Sequence, residues 1–101
     1  MEGTYAAKLE INNMSIPLEH FPEQVVARSI AGAVSTLKGT DKIDDIELTM
    51  LHGEVTLLVN STEVELTRFP NHILASLVAG VVSPLKGAED TDNVSVTISI
   101  T

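Results

Sequence analysis

Apolar and polar residues alternate in four segments of the chain, a pattern typical of β-strands with one buried face. These segments lie at residues 7–11, 46–50, 55–59 and 94–100. Two shorter apolar segments follow the dipeptides Asn12-Asn13 and Asn60-Ser61. Asn accepts the positive φ angles of two-residue hairpin turns, so each short segment is predicted to fold back on the strand before it. The alternation therefore predicts six strands.

Two longer segments carry apolar residues at the three- and four-residue spacing of amphipathic helices. The first contains Val26, Ile30 and Val34 and begins near Pro22, while the second begins near Pro70. Proline suits the first turn of a helix, because the N–H groups there have no partner within the helix. The apolar residues of the second helix are Ile73, Leu74, Leu77, Val78, Val81, Val82 and Leu85. This stripe is broader than one face of a sheet covers, so a second surface is expected to bury part of it.

The strands and helices recur in a repeat. Aligning residues 16–50 with residues 64–98, without a gap, gives 13 identities in 35 positions. The identities include Phe21-Pro22 with Phe69-Pro70 and Ala31-Gly32 with Ala79-Gly80. The sequence therefore predicts an internal duplication of a β-β-α-β unit, with repeats at about 4–51 and 54–101 in a single domain spanning 1–101.

The junction between the repeats predicts a topology. Only His52-Gly53 separates the third and fourth strands, and so short a connection requires an antiparallel hairpin. In its register the facing pairs are Ile46 with Val59, Leu48 with Leu57, and Met50 with Val55. In the alignment of the repeats, the last strand is equivalent to the third and the first strand is equivalent to the fourth. The last strand is therefore predicted to pair with the first, as the third pairs with the fourth. We predict an α+β fold, with a six-stranded, mainly antiparallel sheet ordered 2-1-6-3-4-5 and both helices on one face. The alternative keeps each last strand within its own repeat and breaks the hairpin.

Three residues inside or near the helices add expectations. Gly32 and Gly80 occupy equivalent helical positions, where glycine costs about 1 kcal/mol relative to alanine. Close packing of the two helix backbones would offset that cost. Pro84 stands where the first repeat has Thr36, so the last turn of the second helix is expected to be kinked or loosened.

Composition and charge narrow the classes of function. The 101 residues include no cysteine, which excludes disulfides, thiolate metal sites and a cysteine nucleophile. Fourteen acidic residues against six lysines and arginines give a net charge of −8 and argue against a nucleic-acid partner. No apolar run reaches the length of a membrane span, and the residues after Met1 lack the pattern of a signal peptide. We expect a soluble, cytoplasmic protein without a membrane partner.

Two surfaces are candidates for binding a protein. The apolar stripe of the second helix would support self-association through Ile73, Leu77, Val78, Val81 and Leu85. The outward face of the sheet would offer carboxylates to a basic partner at Glu47, Glu54 and Glu65. Both patterns have simpler interpretations: internal burial of the helix, and a polar face exposed to water.

The acidic loops after the helices are weak candidates for a divalent cation, because hard cations take oxygen ligands. Their carboxylates are Asp41, Asp44 and Asp45 in the first repeat and Asp90 and Asp92 in the second. Neither loop has the spacing of an EF-hand, and acidic turn residues are the commoner explanation, so we assign no metal site.

Catalytic motifs are not found, and we expect neither an enzyme nor a cofactor. The sequence favours a non-catalytic protein-interaction or assembly module that associates with a second copy or another protein, most simply through its apolar helix layer. The alternative is an accessory protein that binds a small ligand or a divalent metal in the cleft between the repeats or in the acidic loops.

Overall fold

The computed structural model describes residues 4–37, 42–85 and 92–101. The elements are β1 (Tyr5–Ile11), β2 (Met14–Ile16), α1 (His20–Val34), β3 (Asp45–Leu51), β4 (Glu54–Val59), β5 (Thr62–Val64), α2 (Arg68–Val82) and β6 (Asn93–Ile100). All six strands form one antiparallel sheet in the order β2-β1-β6-β3-β4-β5. The α+β class and the predicted strand order are confirmed.

The predicted strand registers are also confirmed. In the β3–β4 hairpin, Leu48 faces Leu57, and in the β1–β6 pair Leu9 faces Val96. The central strands β3 and β6 pair directly, with Leu48 opposite Val96. The β1–β6 ladder continues to Thr4 and Thr101, whose backbones exchange two hydrogen bonds. The alternative topology, in which each last strand stays within its own repeat, is excluded.

The turns of the sheet have the backbone geometry that the sequence predicts. Positive φ angles occur at Asn12, Asn13, His52, Gly53, Asn60 and Ser61. Two consecutive left-handed residues form the type I′ turn, whose twist matches that of the strands it joins. Each of the three hairpins is therefore closed by a two-residue turn that fixes its register.

One face of the sheet is buried beneath both helices, and the other face is open. The buried strand positions alternate with exposed ones, as in β1, where Ala7, Leu9 and Ile11 are buried between exposed neighbours. The largest fully buried side chains are Leu9, Ile30, Ile46, Leu48, Leu57 and Ile98. The core is thus one apolar layer between the sheet and the helices.

The helices begin and end at equivalent positions in the two halves. Pro22 and Pro70 are each the third residue of their helix, still within the first turn, where a missing N–H costs nothing. Both helices end one residue before a serine, Ser35 or Ser83, whose hydroxyl donates to the carbonyl three residues earlier. The expected effect of Pro84 on α2 was wrong, because α2 ends at Val82 before the proline is reached.

The expected close packing at the helical glycines was also wrong. A Cβ atom added to Gly32 or Gly80 would meet nothing within 4 Å. Both glycines lie on the exposed side of their helices rather than between them. Helix contact therefore does not offset the conformational cost of these residues.

The two halves of the chain share their secondary structure. Helices α1 and α2 begin and end at aligned positions of the two repeats, and so do the short strands β2 and β5. An origin by duplication stays a prediction, supported by this correspondence and by the sequence identities. Among the described residues, no helix combines the length and the apolar character needed to cross a membrane.

Candidate interaction surfaces

The outer surface of the helix layer contains exposed apolar side chains. Helix α1 buries five residues, but α2 buries only Leu74, Val78 and Val82 although its sequence is the more apolar. Of the residues predicted to form an interaction surface on α2, Ile73 is 45% exposed. Leu77, Val81 and Leu85 are partly buried.

Val78 is a correction to the predicted interaction surface. Its side chain is fully buried in the core, so it cannot contact a partner. It occupies the position equivalent to Ile30 on α1, which is also fully buried. The helical spacing placed both residues in an apolar stripe, but it did not show which part of each stripe packs against the sheet.

Two phenylalanines are the most exposed large side chains of the helix layer. Phe21 is 76% exposed and Phe69 is 72% exposed, and each is the second residue of its helix. Their positions in the sequence mark the helix starts but give no sign of this exposure. An exposed aromatic side chain offers a large apolar area to a partner, and aromatic residues are enriched in protein interfaces.

A depression of about 330 Å³ lies between the C-terminal end of α1 and the N-terminal end of α2. Its lining is almost wholly apolar and consists of Ala33, Thr36, Leu37, Phe69, Pro70, Ile73 and Leu74. A cavity of about 150 Å³ is sufficient to bind benzene, so the depression has room for an aromatic ring. It lies between the helices of the two halves of the chain.

The helix layer carries little net charge. The charged residues of α1 are Glu23 and Arg28, and α2 contains Arg68 but no carboxylate. The Arg28 side chain lies against the first residue of β1, with its guanidinium carbon 4.4 Å from the centre of the Tyr5 ring. The chain as a whole has a net charge of −8, so its negative charge lies elsewhere.

Much of that charge lies on the open face of the sheet. Exposed strand positions there include Glu10, Glu47, Glu54 and Glu63, together with Lys8. Serine and threonine side chains separate the carboxylates. The predicted positions of Glu47 and Glu54 on this face agree with the register. Docking of a basic partner stays a prediction.

Glu65, the third carboxylate predicted on the open face, lies beyond the end of β5. Its side chain is exposed, but no strand pairing fixes which face it occupies. The register therefore places Glu47 and Glu54 on the open face but does not place Glu65 there.

The acidic segment before β3 is held by Asn60. The Asn60 Oδ1 atom accepts hydrogen bonds from the backbone N–H groups of Asp44 and Asp45, at 2.7 and 3.0 Å. The Nδ2 group of the same side chain donates to the Lys42 carbonyl. These bonds explain the local backbone without a bound cation.

The described residues contain no group of three histidine or carboxylate side chains that could hold a metal ion. Two of the weak metal candidates, Asp41 and Asp90, lie outside the described residues. Asp92 is exposed at the start of β6, where its carbonyl accepts a hydrogen bond from the His52 N–H. One oxygen of Asp45, Oδ1, is buried without a hydrogen-bond partner. A single such oxygen does not make a cation site.

Side chains at the start of each helix bind the exposed edge of a strand. The Asn71 Oδ1 atom accepts from the Val55 N–H at 2.8 Å, and the Asn71 Nδ2 group donates to the Gly53 carbonyl at 3.0 Å. In the first half, Glu23 accepts from the Ala7 N–H and Gln24 donates to the Tyr5 carbonyl. The sequence pattern did not predict these bonds, although Glu23 and Asn71 occupy equivalent positions of the repeat.

Comparison of the chain with protein family models, curated proteins and solved structures finds no match. The surfaces are therefore interpreted from their own shape and chemistry. The helix layer is apolar and nearly neutral, whereas the open sheet face is polar and acidic.

Proposed function

We propose that this protein is a non-catalytic assembly module that associates with a second copy through its helix layer. The observation that carries the proposal is the exposure of Phe21, Phe69 and Ile73 on a surface with almost no net charge. Phe69 and Ile73 border the same depression, Phe21 lies at the other end of the same layer, and large apolar groups exposed on one surface of a folded domain are typical of sites for protein contact.

The distribution of charge favours a second copy on this face. Two copies of a chain with a net charge of −8 repel one another wherever their acidic surfaces meet. The open sheet face would bring carboxylates together, since only Lys8 balances the four glutamates of its strands. The helix layer avoids this repulsion because its acidic and basic residues nearly cancel.

The expected strength of the contact is moderate. Burying one phenylalanine fully contributes about 1.5–3 kcal/mol, and association costs an estimated 4–15 kcal/mol in lost freedom of motion. The exposed rings alone therefore offset about the cost of association, and a dimer that forms at micromolar concentrations needs a net gain of about 8 kcal/mol. We expect the rest of the helix layer, including Ile73, to be buried together with both phenylalanines.

Sedimentation equilibrium over a range of concentrations tests the proposal. We expect a species of twice the 10.8 kDa chain mass that dissociates on dilution. The double substitution Phe21→Ser and Phe69→Ser is expected to shift the equilibrium to the monomer. The matched control is Leu51→Ser, because Leu51 is 48% exposed but lies on the open sheet face. A monomer throughout the micromolar range would overturn the proposal.

The apolar depression favours one second candidate, the binding of a small apolar ligand. The depression is large enough for a ring, and such sites are mostly apolar and concave. Fluorescence of an apolar dye measures this directly. Ala33→Leu, which fills the depression, should abolish the signal if the dye binds there, whereas Leu51→Ser should leave it unchanged. Dye binding that Ala33→Leu does not reduce would rule out this candidate.

A further inference from the structure

We propose that the second copy binds in one orientation, with Phe21 of each copy inserted in the apolar depression of the other. This inference rests on the proposed self-association and specifies its geometry. The two copies are related by a two-fold axis that is perpendicular to the helices and passes between the helix layers. The orientation follows from where the ring and the depression lie on the same surface.

The ring and the depression lie at opposite ends of the helix layer. Helix α1 packs on β1 and α2 on β4, and the C-terminal end of α1 lies beside the N-terminal end of α2. The helices therefore run side by side in opposite directions. Phe21 begins α1, whereas Ala33 lines the depression near its end. Twelve residues of α-helix separate them by about 18 Å.

Two kinds of two-fold axis can bring the helix layers face to face, and they differ in which ends of the two layers come into contact. An axis parallel to the helices places each end of the layer against the same end of the partner. An axis perpendicular to the helices places each end against the opposite end. Only the second arrangement brings Phe21 over the partner's depression, and the symmetry makes this contact occur twice.

The two ends of the layer are complementary in shape. In the alignment of the repeats, Val81 stands where Ala33 stands in the depression, and Pro84 stands where Thr36 does. Val81 is bulkier than Ala33, so we expect the Phe21 end of the layer to be fuller than the end with the depression. One end therefore supplies the exposed Phe21 ring, and the other end supplies an apolar recess, bordered by Phe69, that is large enough to receive it.

Charge does not oppose this orientation. The perpendicular axis brings α1 of one copy near α1 of the other, and Arg28 is the charged residue near the middle of that helix. The Arg28 Nε group donates to the Gln24 side chain, and its guanidinium lies over the Tyr5 ring at the side of the layer. These contacts draw the charge towards β1 and away from the expected interface.

Disulfide cross-linking distinguishes the two orientations, because the chain has no cysteine of its own. Ser76 is exposed near the middle of α2, so the perpendicular axis places it near Ser76 of the second copy. The parallel axis instead places it opposite the middle of α1. We expect Ser76→Cys alone to form a disulfide-linked dimer on oxidation. Cross-linking only in a mixture of Ser76→Cys and Arg28→Cys would overturn the proposed orientation.

Substitutions at the ring and the recess provide a second readout. Phe21→Ala is expected to weaken dimerisation at least tenfold, and Ala33→Leu should have a similar effect by filling the recess. The two effects should not add in the double variant, because each removes the same contact. Circular dichroism melting checks that both variants remain folded. If the dimer persists and neither substitution weakens it, this orientation is wrong but the proposed function stands; a monomeric parent chain overturns both.

Discussion

The two helices occupy equivalent places over the sheet but use their surfaces differently. Helix α1 buries five of its residues, including Ile30, whereas the more apolar α2 buries three, including Val78. The excess apolar area of α2 lies at its N-terminal end, where Phe69 and Ile73 are exposed. Equivalent backbone positions thus hold one helix that buries more of its residues in the core and one that leaves more apolar area exposed, although each helix begins with an exposed phenylalanine.

The side chains at the start of each helix also differ, although they bind equivalent backbone groups of the neighbouring strand. In the second half, the single carboxamide of Asn71 both accepts from and donates to β4 and the turn before it. In the first half, Glu23 and Gln24 divide these two bonds to β1. In each case the side chains occupy hydrogen-bonding groups that a further strand would otherwise use. Unpaired strand segments protected in this way are poor templates for aggregation.

Core substitutions at the equivalent positions Ile30 and Val78 should produce the largest effects. Both residues are fully buried, so Ile30→Ala is expected to lower the free energy of unfolding by about 2–5 kcal/mol. Val78→Ala should cost about 0.8 kcal/mol less, because valine has one methylene fewer. Urea denaturation at a single protein concentration measures both. A small effect of Val78→Ala would show that α2 contributes little to the core.

Substitutions at the strand edges should have intermediate effects and separate the two halves. Asn71→Ala removes both side-chain bonds to the β4 strand and its turn and should cost about 1–3 kcal/mol. Gln24→Ala removes only the bond to the Tyr5 carbonyl on the strand and should cost about 0.5–1.5 kcal/mol, since Glu23 still holds the Ala7 N–H. Hydrogen exchange should accelerate at the Val55 amide in the first variant. Equal losses of stability would contradict the division of bonds described above.

The glycine substitutions should have the smallest effects and should be alike in the two halves. Gly32→Ala and Gly80→Ala each place a methyl group in open space on a helix. Each should raise the free energy of unfolding by about 0.5–1 kcal/mol, because alanine favours the helical backbone. Thermal melting of dilute protein measures the change. Destabilisation by either substitution would indicate a contact that the described residues do not show.

Most of the fold could be predicted from the sequence because local and long-range signals agree. The two-residue turn at His52-Gly53 fixes a register, and that register pairs apolar residues such as Leu48 and Leu57 on one face. The residues at which the helices end were less predictable from the sequence. Ser35 and Ser83 donate to carbonyls three residues earlier, and no pattern of apolar residues records such bonds.

The candidate surfaces were only partly predictable. Periodicity placed Ile73 and Val78 on the same apolar stripe, but only the packing against the sheet shows that Val78 is buried and Ile73 is not. Phe21 and Phe69 resemble core residues by type, and their exposure depends on where each helix meets the sheet. The depression forms where two segments of the chain meet, with Ala33 and Phe69 both in its lining. The residue pattern of one segment cannot show which other segment packs beside it.

The position of β6 has a consequence for how the chain folds as it is synthesised. The last strand in sequence lies in the centre of the sheet, where it pairs with both β1 and β3. The β1–β2 hairpin and the β3–β4–β5 strands can form earlier, but nothing joins them within the sheet until β6 arrives. Contacts between residues so distant in sequence slow folding. On the ribosome, we therefore expect the domain to complete its core only after residue 100 has left the exit tunnel.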